Sequence, residues 1–242
     1  MRQFLYIIKR FLTDLFKYPA MVNAELSYDN YWQKKKVGSL GLPNSFQVAR
    51  GVWIADKILE NASVIDVGCG DGSILQVIKK TKRIQATGAD VSDFILKFLE
   101  KNDIKSFNLD ISDKDAIDKI PTHDHMLLLE TLEHMSKPED FLLKALTKVN
   151  KSVFISIPNT GYITHRLRLL FGKFPVQWRS HPSEHLRFWT VDDFSWWIDS
   201  LKLGNETTIH LYEGVPFLNR IWPSLFAQGI IAEVKIRTSH TS

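Results

Sequence analysis

The stretch Val64-Ile-Asp-Val-Gly-Cys-Gly-Asp-Gly72 decides the fold, because it runs from a short apolar strand directly into a glycine-rich loop. The three glycines allow a sharp turn and a close approach of the backbone to a ligand, which a Cβ atom would obstruct. Their spacing is G-x-G-x-G, and Ser73 stands where a dinucleotide-binding fingerprint needs its third glycine. No G-K-[ST] follows, which excludes a P-loop. The acid at Asp66 and the missing phosphate-binding loop favour a positively charged ligand without a pyrophosphate.

Two further acids stand at the ends of the next predicted strands. Ala86-Thr-Gly-Ala-Asp90 ends in a carboxylate 18 residues beyond Gly72, where it can accept hydrogen bonds from both hydroxyls of a ribose. Asp110 follows a third short strand, within predicted reach of an adenine. Each acid alone could be a strand-end Asp that caps the next helix. Three acids in register with one glycine loop indicate a nucleoside pocket, and S-adenosylmethionine, with its amino group and sulfonium, fits it.

These motifs resemble the class I S-adenosylmethionine-dependent methyltransferases over roughly residues 46–237. The resemblance implies that the chain is an enzyme that binds S-adenosylmethionine through the glycine loop on the methionine side, Asp90 at the ribose and Asp110 at the adenine. The full set of cofactor residues it implies is Asp66, Gly68, Cys69, Gly70, Gly72, Asp90, Asp110 and Glu130. Cys69 is read as a small side chain that fills a tight turn.

Two other tracts, Ile157-Pro-Asn159 and Pro216 to Ile236, resemble the methionine-biosynthesis protein W subgroup of these enzymes. That subgroup is linked to homoserine O-acyltransferase. The resemblance therefore leaves a second function open, in which the chain is a partner subunit of an acyltransferase without turnover of its own.

Apolar strand patterns alternate with helical patterns along most of the chain, as a doubly wound α/β sheet requires. The sequence predicts that Ser92 caps one helix and that Pro138 opens another. By the resemblance, the last two strands form an antiparallel hairpin at the end of a mostly parallel seven-stranded sheet. The predicted strands lie near 62–67, 84–90, 104–108, 124–129, 151–157, 206–213 and 229–237, and the predicted helices at 93–101, 138–148 and 190–201.

Composition agrees with a single globular domain in a reducing compartment. A chain of 242 residues with 44% hydrophobic content can bury a full α/β core. A single cysteine excludes a disulfide framework, which favours a reducing, cytoplasmic compartment. The enzyme is predicted to be of bacterial type. The net charge of +4 permits anionic partners but does not indicate nucleic acid, and the oligomeric state stays open.

Residues 1–45 are predicted to form an amino-terminal arm ahead of a methyltransferase domain over 46–242. Apolar residues recur at helical spacing over 1–19 between basic ones, which predicts an amphipathic basic helix. Charges interrupt its apolar run well before the ~20 residues that a bilayer crossing needs. Four roles remain open for it: packing against the domain, a lid over the site, a dimer contact, or a peripheral helix on the inner face of an anionic membrane.

The segment Leu127-Leu-Leu-Glu-Thr-Leu-Glu-His-Met135 places three titratable side chains at i, i+3 and i+4, so on a helix they would point the same way. With His185, the set Glu130, Glu133 and His134 resembles the E-x-x-E-H pattern of ubiquinone-pathway O-methyltransferases and small-RNA terminal 2′-O-methyltransferases. That resemblance implies a divalent ion (Mg, Mn, Fe, Co or Zn) that activates a substrate hydroxyl. Without a metal, His134 would be the general base. In a purely structural alternative, Glu130 closes the cofactor pocket and the other two cap the following helix.

Substrate specificity is predicted to reside at about 158–188, an insertion rich in aromatic and basic residues. Arginine forks recognise phosphate and carboxylate groups well, which indicates an anionic, sugar- or phosphate-bearing small molecule. The alternative is a solvated cap whose aromatic residues simply pack on the sheet. The predicted reaction is in-line O-methylation of a small hydroxylated metabolite. The predicted substrate contacts are Arg166, Trp178, Arg179 and His185.

Overall fold

A seven-stranded sheet organises the described part of the protein. The structure is a computed structural model that describes residues 9, 12, 13, 15, 16, 18, 28–35, 39–177 and 184–236. The strand order is β3-β2-β1-β4-β5-β7-β6. Among the described strands, β7 alone runs in the direction opposite to the other six, which confirms the predicted α/β fold and its terminal hairpin. The strands are β1 Ser63–Val67, β2 Gln85–Asp90, β3 Lys105–Asn108, β4 His123–Leu129, β5 Val149–Pro158, β6 Thr207–Tyr212 and β7 Gly229–Lys235.

Helices cover both faces of the sheet, because successive residues of each buried strand point to opposite sides. In β4, Leu127 packs with α2, α3 and α4, whereas Met126 and Leu128 pack with α5 and α7. Short 3₁₀ turns lie at Ile117–Lys119, Leu132–His134 and Gly204–Glu206. The helices are α1 Tyr28–Lys35, α2 Ser45–Ala55, α3 Ser73–Thr81, α4 Asp93–Glu100, α5 Pro138–Leu146, α6 Ile163–Leu170, α7 Val191–Ser200, α8 Leu218–Ile221 and α9 Pro223–Phe226.

Local capping chemistry sets where several helices begin. The Ser92 hydroxyl accepts a hydrogen bond from the Ile95 amide at 3.3 Å, and Pro138 occupies the first turn of α5, so both predicted starts are confirmed. A reciprocal capping box between Asn44 and Gln47 opens α2. Each of these caps satisfies backbone donors that the first helical turn leaves unpaired.

The carboxyl ends of the parallel strands meet at one edge of the sheet. The chain order reverses between β1 and β4, which lie side by side there although two other strands separate them in sequence. Ligands of open α/β sheets bind in the crevice at such a switch point. The glycine loop follows β1, so this topology places it at that crevice.

The amino-terminal region is only partly described. Leu15 is buried, and its carbonyl accepts a hydrogen bond from Arg168 at 2.9 Å, whereas Leu12 and Phe16 are exposed. Among the described helices, none is long and apolar enough to cross a membrane. Most of the predicted helix over 1–19 lies outside the described residues, so its amphipathic character and its membrane contact stay predictions.

Candidate cofactor and active site

The loop after β1 adopts backbone conformations that require glycine. Gly70 and Gly72 have φ angles of 50° and 66°, in the left-handed region that side chains disfavour. A Cβ on Gly70 would lie 2.8 Å from the Trp32 ring, and one on Gly72 would lie 2.5 Å from Leu99. The loop is therefore closely covered on both sides, and its glycines are needed for packing as well as for the turn.

Asp90, at the end of β2, holds this loop in place. One carboxylate oxygen accepts a hydrogen bond from the Gly70 amide at 2.9 Å, and the other accepts one from the Ser92 amide at 3.0 Å. Burial raises the pKa of Asp90, and these backbone donors oppose that rise. Each carboxylate oxygen has a second lone pair. The side chain can therefore position the loop and still accept ribose hydroxyls.

Asp110 makes a local contact just after β3. It is exposed, and one carboxylate oxygen accepts hydrogen bonds from the amide and the hydroxyl of Ser112 at 2.8 and 2.7 Å. The capping alternative therefore accounts for one oxygen. The adenine contact stays a prediction.

Asp66 is the most strongly perturbed acid of the cofactor side. It is 2% exposed, and burial raises its pKa to about 8. The positive charge of Arg50 opposes this rise, whereas Asp90 and Asp71 add to it. In the ligand-free protein the side chain is therefore mostly protonated at neutral pH. An ammonium group placed beside it would restore its charge.

Cys69 fills space within the loop. The Cys69 sulfur lies 2.8 Å from the position that a Cβ on Gly88 would take, so the loop after β1 packs tightly against β2 here. Burial raises the pKa of the thiol well above its usual range. A thiol that stays protonated is a poor nucleophile. The side chain therefore serves as the small turn filler that the sequence indicated.

Helix α1 covers the cofactor side of the cleft, a role that the predicted arm boundary at residue 45 did not anticipate. Trp32 lies against Gly70. Asp29 accepts hydrogen bonds from the Ser92 hydroxyl and from the Phe94 amide, and so joins the cover to the start of α4. A tryptophan and an acid three residues apart were the only sequence signal for this contact.

Tyr28 extends the cover towards the acceptor side. Tyr28 is exposed, but desolvation of its hydroxyl by neighbouring groups and the nearby charges of Asp90, Glu184 and Asp110 raise the pKa of that hydroxyl. Farther along the chain, the Gly41 amide donates a hydrogen bond to Asp71 at 3.0 Å. The segment before α2 therefore contacts the glycine loop, and its Tyr28 lies within electrostatic range of Glu184.

Glu130 does not join the predicted ligand set. It follows β4 with a φ angle of 55°, so residues 130–134 do not form the single helical turn that the i, i+3, i+4 spacing predicted. Its carboxylate pairs with Arg50 at 2.8 Å and accepts a hydrogen bond from Ser156 at 3.0 Å. Its ligand atoms are not part of the cluster that Glu133, His134 and His185 form. The expected four-residue site is therefore wrong in its Glu130 member.

The other three members do come together. Ligand atoms of Glu133, His134 and His185 all lie within 4.8 Å of one another. The His134 Nδ1 atom lies 2.5 Å from the Glu184 carbonyl oxygen, and the amides of Leu186 and Arg187 donate to the Glu133 carbonyl. These bonds hold the end of the insertion against the turn after β4.

The Glu133 carboxyl group is buried, with only the more distant charge of Arg50 to favour its ionised form. It is 1% exposed, and neither carboxylate oxygen has a hydrogen-bond partner within the described ranges. Burial raises its pKa well above the usual range, and the charge of Glu130 adds to that rise. A buried carboxyl group that lacks a partner is costly, and a cation or a donor from a ligand would satisfy it.

The basic residues of the insertion have different surroundings. Arg166 is exposed, and its Nε donates to the Gly161 carbonyl at 2.7 Å, so its role in substrate binding stays a prediction. Arg168 is fully buried and bonds the carbonyls of Leu15 and Phe174, so it belongs to the protein interior. The predicted contacts Trp178 and Arg179 lie outside the described residues.

Comparison with known proteins agrees with this geometry. A family profile described as methionine biosynthesis protein MetW matches residues 50–234. A structure of a SAM-dependent methyltransferase from Archaeoglobus fulgidus superposes with a TM-score of 0.56 at 17% identity, covering 79% of this chain and 93% of that one. The methyltransferase domain of a bacterial CtHen1 gives a TM-score of 0.53 at 21% identity, covering 80% of this chain and all of that one. At these identities the two structures establish the fold.

Similarity to a curated protein is local. The (S)-tetrahydroprotoberberine N-methyltransferase of Eschscholzia californica is 26% identical over 113 residues, which make up 45% of this chain and 32% of the relative. The matched part of the chain thus spans about a third of that relative's length.

Proposed function

The chain belongs to the methionine biosynthesis protein MetW family and has the class I S-adenosylmethionine-dependent methyltransferase fold, and on that premise we propose that it methylates a small hydroxylated acceptor. The observation that carries the proposal is the glycine loop tied to Asp90, with buried Asp66 beside it. In support of the proposal, both carboxylates lie at or near the carboxyl ends of β1 and β2, the edge at which ligands of open α/β sheets bind.

The cofactor residues divide the work of binding. When bound, S-adenosylmethionine supplies an electrophilic methyl group on a sulfonium. Asp90 accepts hydrogen bonds from the ribose hydroxyls while it holds the glycine loop, and Asp66 pairs with the amino group. Trp32 packs against the loop at Gly70. These contacts fix the position of the sulfonium and its methyl group. The protein then needs only to place the acceptor atom in line with the methyl–sulfur bond.

His134 is the proposed general base. A carbonyl oxygen only accepts hydrogen bonds, so the His134 Nδ1 must carry the proton that it shares with Glu184. This fixes the neutral tautomer whose Nε2 lone pair is available. With the cofactor bound, Nε2 would take the proton of the acceptor hydroxyl while the acceptor oxygen bonds to the methyl carbon and the methyl–sulfur bond breaks, which would leave S-adenosylhomocysteine. The His134 ring lies edge-on to the His185 ring, with 4.8 Å between the ring centroids, and both side chains are partly buried.

The same nitrogen could instead ligate a metal. Glu133, His134 and His185 offer a carboxylate and two imidazoles, a set that suits Mn, Fe, Co or Zn better than Mg. The unpartnered Glu133 carboxyl and the carbonyl-bound Nδ1 of His134 both fit a cation, since metal-binding histidines donate their other ring N–H to such a partner. When bound, a divalent ion lowers the pKa of a coordinated hydroxyl.

A labelled-methyl screen tests the proposed function. The purified chain is incubated with S-adenosylmethionine that carries a tritiated methyl group and with fractionated small-molecule extracts, with and without Mn²⁺. We expect labelled product in fractions that contain hydroxylated anionic compounds. Amine-rich fractions are included because curated relatives carry N-methyltransferase names. A chain that binds the cofactor but labels no fraction would contradict turnover.

Family membership favours one alternative, in which the chain is an acyltransferase partner without turnover. The intact glycine loop and the His134 environment support catalysis instead. Affinity purification of the tagged chain separates the two. Recovery of a stoichiometric acyltransferase, together with a negative methyl screen, would favour the partner role.

A further inference from the structure

The end of α6 and the loop after it expose a run of apolar side chains. Leu169, Leu170, Phe171 and Phe174 are between 54% and 75% exposed. Gly172, between them, has a φ angle of 69°, and a Cβ there would meet no atom of the described residues within 4 Å. The loop therefore projects from the protein. Such a run of neighbouring exposed apolar residues is typical of a surface that binds a partner.

The amino-terminal segment lies against this loop. Buried Arg168 joins the two, since its Nη1 donates to the Leu15 carbonyl and its Nε to the Phe174 carbonyl, both at 2.9 Å. The Lys173 Nζ lies 5.4 Å from the centre of the Phe16 ring, and Phe16 itself is exposed. Exposed Leu12 precedes Phe16 by one helical turn, on the same face. We call the resulting patch the basic–apolar surface, which consists of Leu12, Phe16, Leu170, Phe171, Lys173 and Phe174.

Positive charge is concentrated in the two chain segments that build this surface. Residues 1–19 and 159–183 contain eight Lys and Arg residues and one acid, Asp14, which is a net formal charge of +7. The whole chain carries +4, so the rest of the protein carries a net charge of −3. Lys9 and Arg166 are exposed, and Lys173 is partly exposed. The charge of these segments is therefore complementary to an anionic partner and opposite in sign to that of the remaining chain.

The mixture of apolar and basic side chains identifies the kind of anionic partner. Nucleic acid is bound by basic and polar groups at its phosphates and by rings stacked on its bases, which leaves no role for an exposed Leu170. An anionic bilayer offers an acyl boundary for Leu170 and Phe171, and headgroup phosphates for Lys173, whose apolar stem can lie along the same boundary.

We infer that the basic–apolar surface docks on an anionic membrane. The loop at Leu170 and Phe171 enters the boundary between headgroups and acyl chains, and the amino-terminal segment lies beside it on the headgroups. None of the six residues of the surface belongs to the proposed cofactor or acceptor site. Docking can therefore be measured without methyl transfer.

Vesicle flotation with the full chain tests the docking. The protein is mixed with vesicles of phosphatidylcholine alone, or of phosphatidylcholine with about 30 mol% phosphatidylglycerol, which gives the vesicle a negative surface potential. We expect the anionic vesicles to bind at least about tenfold more tightly than the neutral ones, since each basic residue near such a surface favours binding about fivefold. Raising the salt concentration to about 0.5 M should weaken this binding, because salt screens exposed charges.

Matched variants assign the binding to this surface. The double variant Leu170→Ser/Phe171→Ser removes two apolar side chains and should weaken binding to anionic vesicles about tenfold or more. Lys173→Gln should weaken it about fivefold. Leu59→Ser removes a leucine that is 64% exposed just before β1, at the opposite edge of the sheet, and should change nothing. Thermal unfolding followed by circular dichroism shows that each variant is folded.

Three results would overturn the docking. One is a folded wild-type protein that binds no anionic vesicle. Another is a double variant that binds these vesicles as tightly as the wild type, or a Leu59→Ser variant that loses as much binding as the double variant does. The third is a different partner: a wild-type protein that ignores vesicles but binds duplex DNA, or that forms dimers in sedimentation which the double variant abolishes.

Discussion

The cofactor side and the acceptor side of the cleft are built differently. On the cofactor side, the glycine loop and Asp90 follow neighbouring parallel strands, and backbone hydrogen bonds to Asp90 fix their geometry. On the acceptor side, the turn at Leu132–His134 is held against residues 184–187, about fifty positions away in the chain, by a few hydrogen bonds. The sheet determines the first side, and contact between two distant segments determines the second. Substitutions should therefore separate the two sides functionally.

Replacement of His134 should have the largest effect and should be confined to the acceptor side. In His134→Ala we expect kcat for the acceptor found in the labelled-methyl screen to fall by about 10³-fold, the usual loss when a general base is removed. Affinity for S-adenosylhomocysteine, measured by calorimetry, should change less than about twofold, because no cofactor contact is lost.

His123 provides the matched control for this variant. It lies at the opposite end of β4, and its Nδ1 is likewise 2.7 Å from a backbone carbonyl, that of Pro121. His123→Ala should therefore alter stability without a comparable loss of kcat. Equal losses in the two variants would show that the effect of His134 is structural.

Replacement of Asp90 should instead weaken binding on the cofactor side. Asp90→Asn keeps an oxygen for the Gly70 amide but loses the charge that strengthens hydrogen bonds from the ribose. We expect affinity for S-adenosylhomocysteine to fall about 100-fold, since charge-assisted hydrogen bonds contribute about 1.5–3 kcal/mol each. The exposed Asp115→Asn is the control. A loss of less than fivefold would mean that the ribose lies elsewhere.

The same difference explains which features the sequence could predict. The apolar segments predicted the strand boundaries to within about two residues, because burial in the sheet determines both the apolar pattern and the strand. The positions of Asp66 and Asp90 followed from strand ends alone. The turn at Glu130 could not be predicted in this way, because nothing in the sequence marks a left-handed backbone conformation at a residue other than glycine.

Other parts of the site depend on long-range packing. Arg50 and Trp32 reach the cleft from helices that precede β1, and no spacing rule relates them to the glycine loop. The contact between His134 and the insertion is equally non-local. Such contacts follow from the assembled fold, so they could be recognised only once the helices were in place.

Whether the acceptor side binds a divalent metal ion can be tested by substitution of two glutamates. Glu133→Gln should weaken Mn²⁺ binding by about 10-fold or more, because it removes the one anionic ligand. Glu130→Gln should leave Mn²⁺ affinity within about threefold, because that side chain pairs with Arg50. Electron paramagnetic resonance of free Mn²⁺ measures both. Equal weakening would restore the four-residue site, and a wild-type protein that binds no Mn²⁺, Zn²⁺ or Co²⁺ would refute the metal site.

The smallest expected effect is a pH dependence that belongs to the cofactor side. With the pKa of Asp66 raised to about 8 in the free protein, binding an ammonium ligand at pH 6 to 7 must release a proton from this residue. Affinity for S-adenosylhomocysteine should therefore rise with pH, by at most about tenfold per unit, and level off above pH 8. Calorimetry in buffers of different ionisation enthalpy counts the released proton.

Asp66→Asn separates this residue from its neighbours, since Arg50, Asp90 and Asp71 also face the site. The variant should bind the cofactor weakly and lose the proton release. It should also melt at a higher temperature at pH 7. In the wild-type protein, Asp66 is ionised in the unfolded chain at pH 7 and must take up a proton on folding, which lowers the free energy of unfolding by about 2 kcal/mol after allowance for relaxation. The variant does not have this destabilising contribution. Unchanged proton release in the variant would assign the pH dependence to another group.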